Sequence, residues 1–332
     1  MKVFIHYQIA SSRDVFEGSR LRKTLKGECE CAGIEWVDSI YQKTDIAHFL
    51  SPRDDSFLLD TAWYQIPVVV SAFYAENDPC ASFLDSKHPK EMKITTRSLH
   101  FLNKADLVLV PNEEMKELCL KQGVTTRVEV HEPSVSLVRF KNAAAEEDIF
   151  PRYFSIRPNQ KIVVSTGDYG DRYILNKLTD LAYCCPELDF YFFGSTRQVN
   201  SRLTIARLSR KSPSNLHFES LIQDDVFRSA LSRADAYLVL DAVHPDCSST
   251  LDAFASKTQV VALHKNPYNP FLVDGETAFV FEDIAGICQY LRSLYSKEAK
   301  STIISEYAVA ESHSLQVGAE RLQKLYDSVL NQ

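Results

Sequence analysis

Short, unbroken apolar runs alternate with helix-length amphipathic segments from one end of this chain to the other. The runs are Val3–Ile5, Ile46–Phe49, Val68–Ser71, Leu107–Val110 and Val128–Val130, then Ile162–Ser165, Phe190–Phe193, Ala236–Leu240, Gln259–Leu263 and Ala278–Phe281. Between them lie helical patterns such as Asn112–Gln122, Asn176–Cys184, Asp224–Arg233 and Val317–Leu330. A strand that is apolar on both faces must be covered on both, which calls for parallel sheets flanked by helices. The series breaks once, at the polar stretch Lys141–Gln160. The expectation is therefore an α/β protein of two doubly wound, Rossmann-like domains facing across a cleft. Residues 1–150 form the first domain and 151–312 the second. A final helix at 313–332, apolar at Val317, Leu322, Leu325, Val329 and Leu330, is expected to pack back across the cleft. In such folds ligands sit beyond the carboxyl ends of the strands, so those loops should carry function.

Charge and composition narrow the function classes. A formal net charge of −7 argues against a nucleic-acid partner. Two local basic groups stand out, Arg20, Arg22, Lys23 and Lys26, and Arg202, Arg207, Arg210 and Lys211. They read either as solvated helix faces or as peripheral contacts with an anionic membrane. No stretch has the roughly 20 apolar residues a membrane span needs. The opening MKVFIHYQIA reads as a strand rather than a signal peptide, so the expected location is cytoplasmic, including the inner face of the membrane. The eight cysteines include no Cys-x-x-Cys pair and read as reduced, buried thiols. With ten glycines and neither a Walker loop nor G-x-G-x-x-G, glycine-rich phosphate cradles are not expected.

Several blocks of the second half resemble family 4 of the retaining, nucleotide-sugar-dependent glycosyltransferases, whose fold is termed GT-B. Val163–Leu188 is similar to that family's glycine-ended strand, basic loop and helix, and Leu188–Ser195 (LDFYFFGS) to its next strand. Leu221–Asp283 resembles the donor-binding core, down to the Asp274-Gly275 turn. In the first half, Ala105–Val124 (ADLVLVPNEEMKELCLKQGV) and the opening strand, helix and Ala32-Gly33-Ile34 are similar more loosely. The likeness runs nearest to small Gram-positive hexosyltransferases that extend diacylglycerol glycolipids.

The resemblance implies transfer of a hexose, with retention, from a nucleotide sugar to a hydroxyl acceptor such as a membrane glycolipid. A UDP-sugar is the expected donor. No metal is needed where positioned cations neutralise the leaving diphosphate, and no other cofactor is implied. The family uses a neighbouring Arg–Lys pair for this, and here Arg172 is followed by Tyr173, with Lys177 one helical turn on as a substitute cation. The family's two glutamates eight apart correspond to His244, beside the sugar, and Asp252, at the ribose hydroxyls. Neutral imidazole offers a single acceptor where a carboxylate offers several. Arg172 and His244 are thus the candidate catalytic residues. Ser248, Ser249 and Thr250 either present an anion-binding helix start or simply cap the helix.

On the acceptor side, Phe73 falls where the family places a histidine, and the glycine-rich first loop is reduced to Gly18-Ser19. Glu76 is placed to bind an acceptor hydroxyl or to solvate its loop. His131-Glu132 replaces the family's Asn-Gly turn. These departures keep a second reading open: a catalytically inactive transferase-like scaffold, partnered with a paralogous glycosyltransferase.

Overall fold

A computed structural model describes residues 1–8, 12–52, 57–74, 82–83, 92–141, 149–195, 201–220, 224–240, 248–294 and 300–331. The first half runs β1 (Lys2–His6), α1 (Ser12–Cys31), β2 (Glu35–Val37), β3 (Ile46–Phe49), α2 (Phe57–Tyr64) and β4 (Val68–Ser71). A two-strand hairpin, β5 (Ser82–Phe83) and β6 (Met92–Lys93), precedes α3 (Thr96–Leu102), β7 (Leu107–Val110), α4 (Glu113–Lys121) and β8 (Val128–Val130). Two short helices follow, α5 (Leu137–Lys141) and α6 (Ile149–Tyr153). The second half runs β9 (Ile162–Asp168), α7 (Arg172–Cys184), β10 (Asp189–Ser195), α8 (Ser201–Ser209), β11 (Leu216–Ser220) and α9 (Asp224–Arg233). It ends with β12 (Ala236–Val239), α10 (Ser248–Ala255), β13 (Val260–Leu263), β14 (Phe279–Phe281), α11 (Ile284–Ser293), α12 (Ile303–Ser312) and α13 (Leu315–Leu330).

Two six-stranded sheets result, ordered β2-β1-β3-β4-β7-β8 and β11-β10-β9-β12-β13-β14. Every neighbouring pair within them is parallel. The alternation along each strand explains the layering, because successive side chains leave opposite faces. In the second sheet Ile162, Val164, Tyr191 and Phe193 pack with α6, α9 and α10, while Val163, Phe190 and Phe192 pack with α7 and α11. The two doubly wound halves are those expected from the apolar runs. β2 and β11 were absent from that series; both lie at sheet edges, and β11 buries Leu216 and Phe218 while His217 and Glu219 stay half-exposed. The polar stretch Lys141–Gln160 also holds an element of its own: Phe150 of α6 is fully buried in the core of the second sheet.

α13 lies on the first sheet, not the second. Its Leu322, Tyr326 and Val329 share a core with Val3, Ile5, Val69, Leu107 and Leu109. Glycines let it approach α1 closely. A Cβ on Gly27 would come within 2.9 Å of Leu315 Cδ1, and one on Gly318 would collide with the Glu28 carboxylate. The chain returns to the first half beside its outgoing strand, where Val135 N donates to His313 O (2.8 Å) and Leu315 N to Val135 O (3.2 Å).

A buried polar layer runs beneath α13. His48 Nδ1 meets Tyr326 Oη at 2.6 Å and His48 Nε2 meets Ser71 Oγ at 2.8 Å. Glu28 bonds both His131 Nε2 (3.1 Å) and Ser134 Oγ (2.5 Å). Burial, with His131 nearby, depresses the His48 pKa to about 3, and burial pushes the Tyr326 phenol well up. His48 is therefore a neutral structural group. His131, which stands where a turn was expected, belongs to the same layer.

Candidate functional site

In the second sheet β9 and β12 are neighbours from which the chain winds in opposite directions, so a crevice opens between their carboxyl ends. Two helix starts flank it. On the β9 side the chain turns through residues 169–171 into α7. The Asp171 carboxylate caps that helix, accepting from Tyr173 N (2.8 Å) and Ile174 N (3.2 Å). These first-turn amides are therefore already satisfied by a protein carboxylate. Arg172 stands exposed beside them as the first residue of α7.

Lys177, the candidate substitute cation, lies 5.5 Å over the ring of Tyr173, the residue at the family's lysine position. That is the expected i, i+4 contact on one helix face. On the side of β9 away from β12, Tyr169 packs against β10 and β11, and its ring would meet a Cβ on Gly194 at 2.6 Å. Tyr169 Oη donates to Glu219 O at 2.5 Å, joining the ends of β9 and β11. Burial pushes the Glu219 carboxyl above its ordinary pKa at this same edge.

On the β12 side, α10 opens at Ser248. Ser249 and Thr250 are buried, and Asp252 is half-buried one turn along. Thr250 Oγ1 accepts from Asn269 Nδ2 (3.0 Å), so its hydroxyl braces the loop after β13. Ser249 Oγ accepts from Arg20 Nη1 (2.9 Å), a bond from α1 of the first half to α10 of the second. A second bridge joins Asn112 Nδ2 to Tyr268 O at 3.0 Å, while Asn112 Oδ1 caps α4 through Met115 N. Both bonds join the second half to the first on the side that carries the α10 start.

The expected residues divide accordingly. Arg172, Lys177, Ser248, Ser249, Thr250 and Asp252 all lie on the two helices that flank the crevice. His244 and Glu76 lie outside the described residues. Gly18 and Ser19 belong to the second turn of the 20-residue helix α1 rather than to a loop, because that helix already begins at Ser12. Phe73 is fully buried in the core of the first half, with a left-handed backbone (φ 68°). Its ring packs among Val70, Val108 and Val110 in that core, which withdraws it from an acceptor-facing surface.

Arg20 was read as part of a basic helix face, yet only 7% of it is exposed. The rest of that group is also engaged within the protein: Arg22 Nη2 reaches Tyr7 O (3.4 Å), and Lys26 pairs with Asp38 (2.9 Å) over the Trp36 ring. A charged residue recurring beside Leu21 and Leu25 was the available sequence signal. It marks a side chain on the buried edge of an amphipathic helix.

Among the described residues no helix is long and apolar enough to cross a membrane, and no group of three or more His, Cys, Asp or Glu residues is placed to hold a metal.

No family model matches the chain. By sequence it is 22% identical over 227 residues to the processive diacylglycerol alpha-glucosyltransferase of Acholeplasma laidlawii, covering 68% of each protein. By structure it superposes on HepE from Anabaena, solved with UDP and glucose, at a TM-score of 0.72 and 11% identity over 99% of this chain and 100% of that one. Sucrose-phosphate synthase from Thermosynechococcus elongatus gives 0.69 and 13% identity, covering 99% of both chains. The chain has the GT-B fold, and its sequence is distantly similar to that of the Acholeplasma glucosyltransferase.

Proposed function

We propose that the chain is a nucleotide-sugar-dependent glycosyltransferase that moves a hexose, with retention, from a UDP-sugar to a hydroxyl acceptor. One observation carries this reading: the two helix starts bearing Arg172 and Ser248–Thr250 flank the crevice at the strand-order reversal of a GT-B second half. The diphosphate then lies between these helices, with Arg172 neutralising charge as the glycosidic bond breaks. Asp252, one turn into α10, accepts from the ribose hydroxyls. HepE, solved with UDP and glucose, supports the donor class. The Acholeplasma relative, named for diacylglycerol, supports a lipid acceptor.

Tyr173, at the second cation position, favours the alternative of a transferase-like scaffold that binds donor without turnover, partnered with a related glycosyltransferase. Two measurements test these readings. Saturating UDP or UDP-glucose is expected to raise the melting temperature, because ligand bound to the native state stabilises it. An unchanged melting temperature with both would defeat the donor-site reading. Radiolabelled hexose transferred to diacylglycerol or a glycolipid extract supports the enzyme, and UDP binding without any transfer supports the scaffold.

A further inference from the structure

We propose that Cys184 of α7 and Cys288 of α11 are a peroxide-responsive thiol pair that closes to a disulfide. The proposal is independent of the donor-site reading, because it concerns the end of α7 opposite Arg172.

Three cysteines meet at this end of the second half. Cys184 is the last residue of α7, Cys185 caps that helix, and Cys288 lies on α11. Cys185 and Cys288 are buried in one core with Leu181, Ile287 and Leu291, whereas Cys184 is exposed. Arg292 follows Cys288 by one helical turn and so shares its face of α11. Its Nη2 donates to Cys184 O, and its Nε donates to Glu187 Oε1 at 2.8 Å. The Cys288 face of α11 therefore lies along the turn that leaves α7. Cys185 Sγ donates to Cys288 O at 4.0 Å, and the Cys288 thiol is hydrogen-bonded to the thiols of Cys184 and Cys185. Asn215 fixes the turn, its Nδ2 donating to Cys185 O (3.1 Å) and Leu188 O (2.8 Å).

Redox-responsive cysteines combine solvent access with an adjacent second thiol. Cys184 has the access, and Cys288 is the adjacent thiol. Burial pushes the thiols of Cys185 and Cys288 up, which keeps both protonated and leaves Cys184 to attack first. Cys185 is poorly placed to receive it. Consecutive Cα atoms lie about 3.8 Å apart, short of the roughly 4.4–6.8 Å that a disulfide spans.

The oxidant is hydrogen peroxide. The Cys184 sulfur, giving up its proton, attacks one peroxide oxygen. The O–O bond breaks, the departing hydroxide takes that proton as water, and Cys184 becomes a sulfenic acid. The Cys288 sulfur then attacks the Cys184 sulfur. The S–O bond breaks, and the hydroxide that leaves takes the Cys288 proton as a second water. The new bond staples the outer end of the helix that begins at Arg172 to α11.

The test treats the intact chain with hydrogen peroxide and blocks the remaining thiols with iodoacetamide. Dithiothreitol then releases oxidised thiols for labelling with N-ethylmaleimide, and peptide mass spectrometry locates the label. Label is expected at Cys184 and Cys288 in equal amount, rising together with peroxide. Cys288→Ser is expected to lose it and to leave a Cys184 sulfenic acid that dimedone captures. Cys31→Ser, which removes the other exposed thiol among the described residues, is expected to leave the label unchanged. Cys184 still blocked by iodoacetamide after peroxide, or oxidised without label at Cys288, would overturn the proposal. The wild-type map decides this alone if the serine variant does not fold.

Discussion

Glu306 shows how far a single side chain can depart from its ordinary chemistry here. It is fully buried on α12, and one carboxylate oxygen accepts from Gln259 Nε2 (2.6 Å), Thr302 Oγ1 (2.6 Å) and Val260 N (3.3 Å). Burial outweighs these donors and pushes its pKa up to about 7. The folded state then binds a proton more tightly than the unfolded one. Its contribution is complete below the ordinary value of 4.5 and is lost as pH rises through about 7. Glu306→Gln, neutral at every pH, should therefore gain on wild type by on the order of 3 kcal/mol between pH 4.5 and 8. Denaturant unfolding across that range measures it, and a pH-independent difference would contradict it.

At the crevice, Arg172→Ala should weaken UDP about tenfold, read by calorimetry, because one charge-assisted contact is lost. Tyr173→Lys should strengthen UDP binding by restoring an adjacent cation; no change would mean that the α7 side does not face the diphosphate. The place of Arg172 at the start of the helix after the glycine-ended strand was legible from its offset, while Lys177 stands one turn past the family's lysine position. The bond from Arg20 to Ser249 was not legible, since a pattern of residues gives no sign of contact between side chains 229 positions apart.

At the scale of elements, packing between α1 and α13 depends on missing side chains. A Cβ on Gly318 would meet the buried Glu28 carboxylate and lie 3.0 Å from Ser134 Cβ. Gly318→Ala should destabilise the protein by about 1–3 kcal/mol, the usual effect of overpacking, seen as a lowered denaturation midpoint. An unchanged midpoint would mean that α13 slides freely on α1. The central strands of both sheets could be read in advance because they are apolar on both faces, as in Val68–Val70 and Leu107–Val110. β11 has one buried face and so lacks the unbroken run. α6 is five residues long in a polar stretch, and only the burial of Phe150 reveals that it belongs to a core. Gly18-Ser19 looked like a loop, yet a 20-residue helix absorbs an internal glycine at about 1 kcal/mol.

For the molecule as a whole, the last helix decides whether the first half is complete. Leu322, Tyr326 and Val329 cover Val3, Ile5 and Val69, and Tyr326 satisfies the buried His48. A chain ending after Ser312 should therefore expose apolar surface in the first half, bind a hydrophobic dye and lose that half's cooperative unfolding. Retained cooperativity would show that α13 is dispensable. The second sheet's strands and most of its helices, by contrast, come from one continuous stretch of chain.

The return of α13 also sets an order of assembly during synthesis. The residues of β1 are translated before those of the other strands of both sheets, yet their covering helix α13 follows all of them. The second half has all its strands translated before the first half receives its final layer. The half whose strands are made first is thus the half that is finished last, and its apolar face stays uncovered until α13 has been translated.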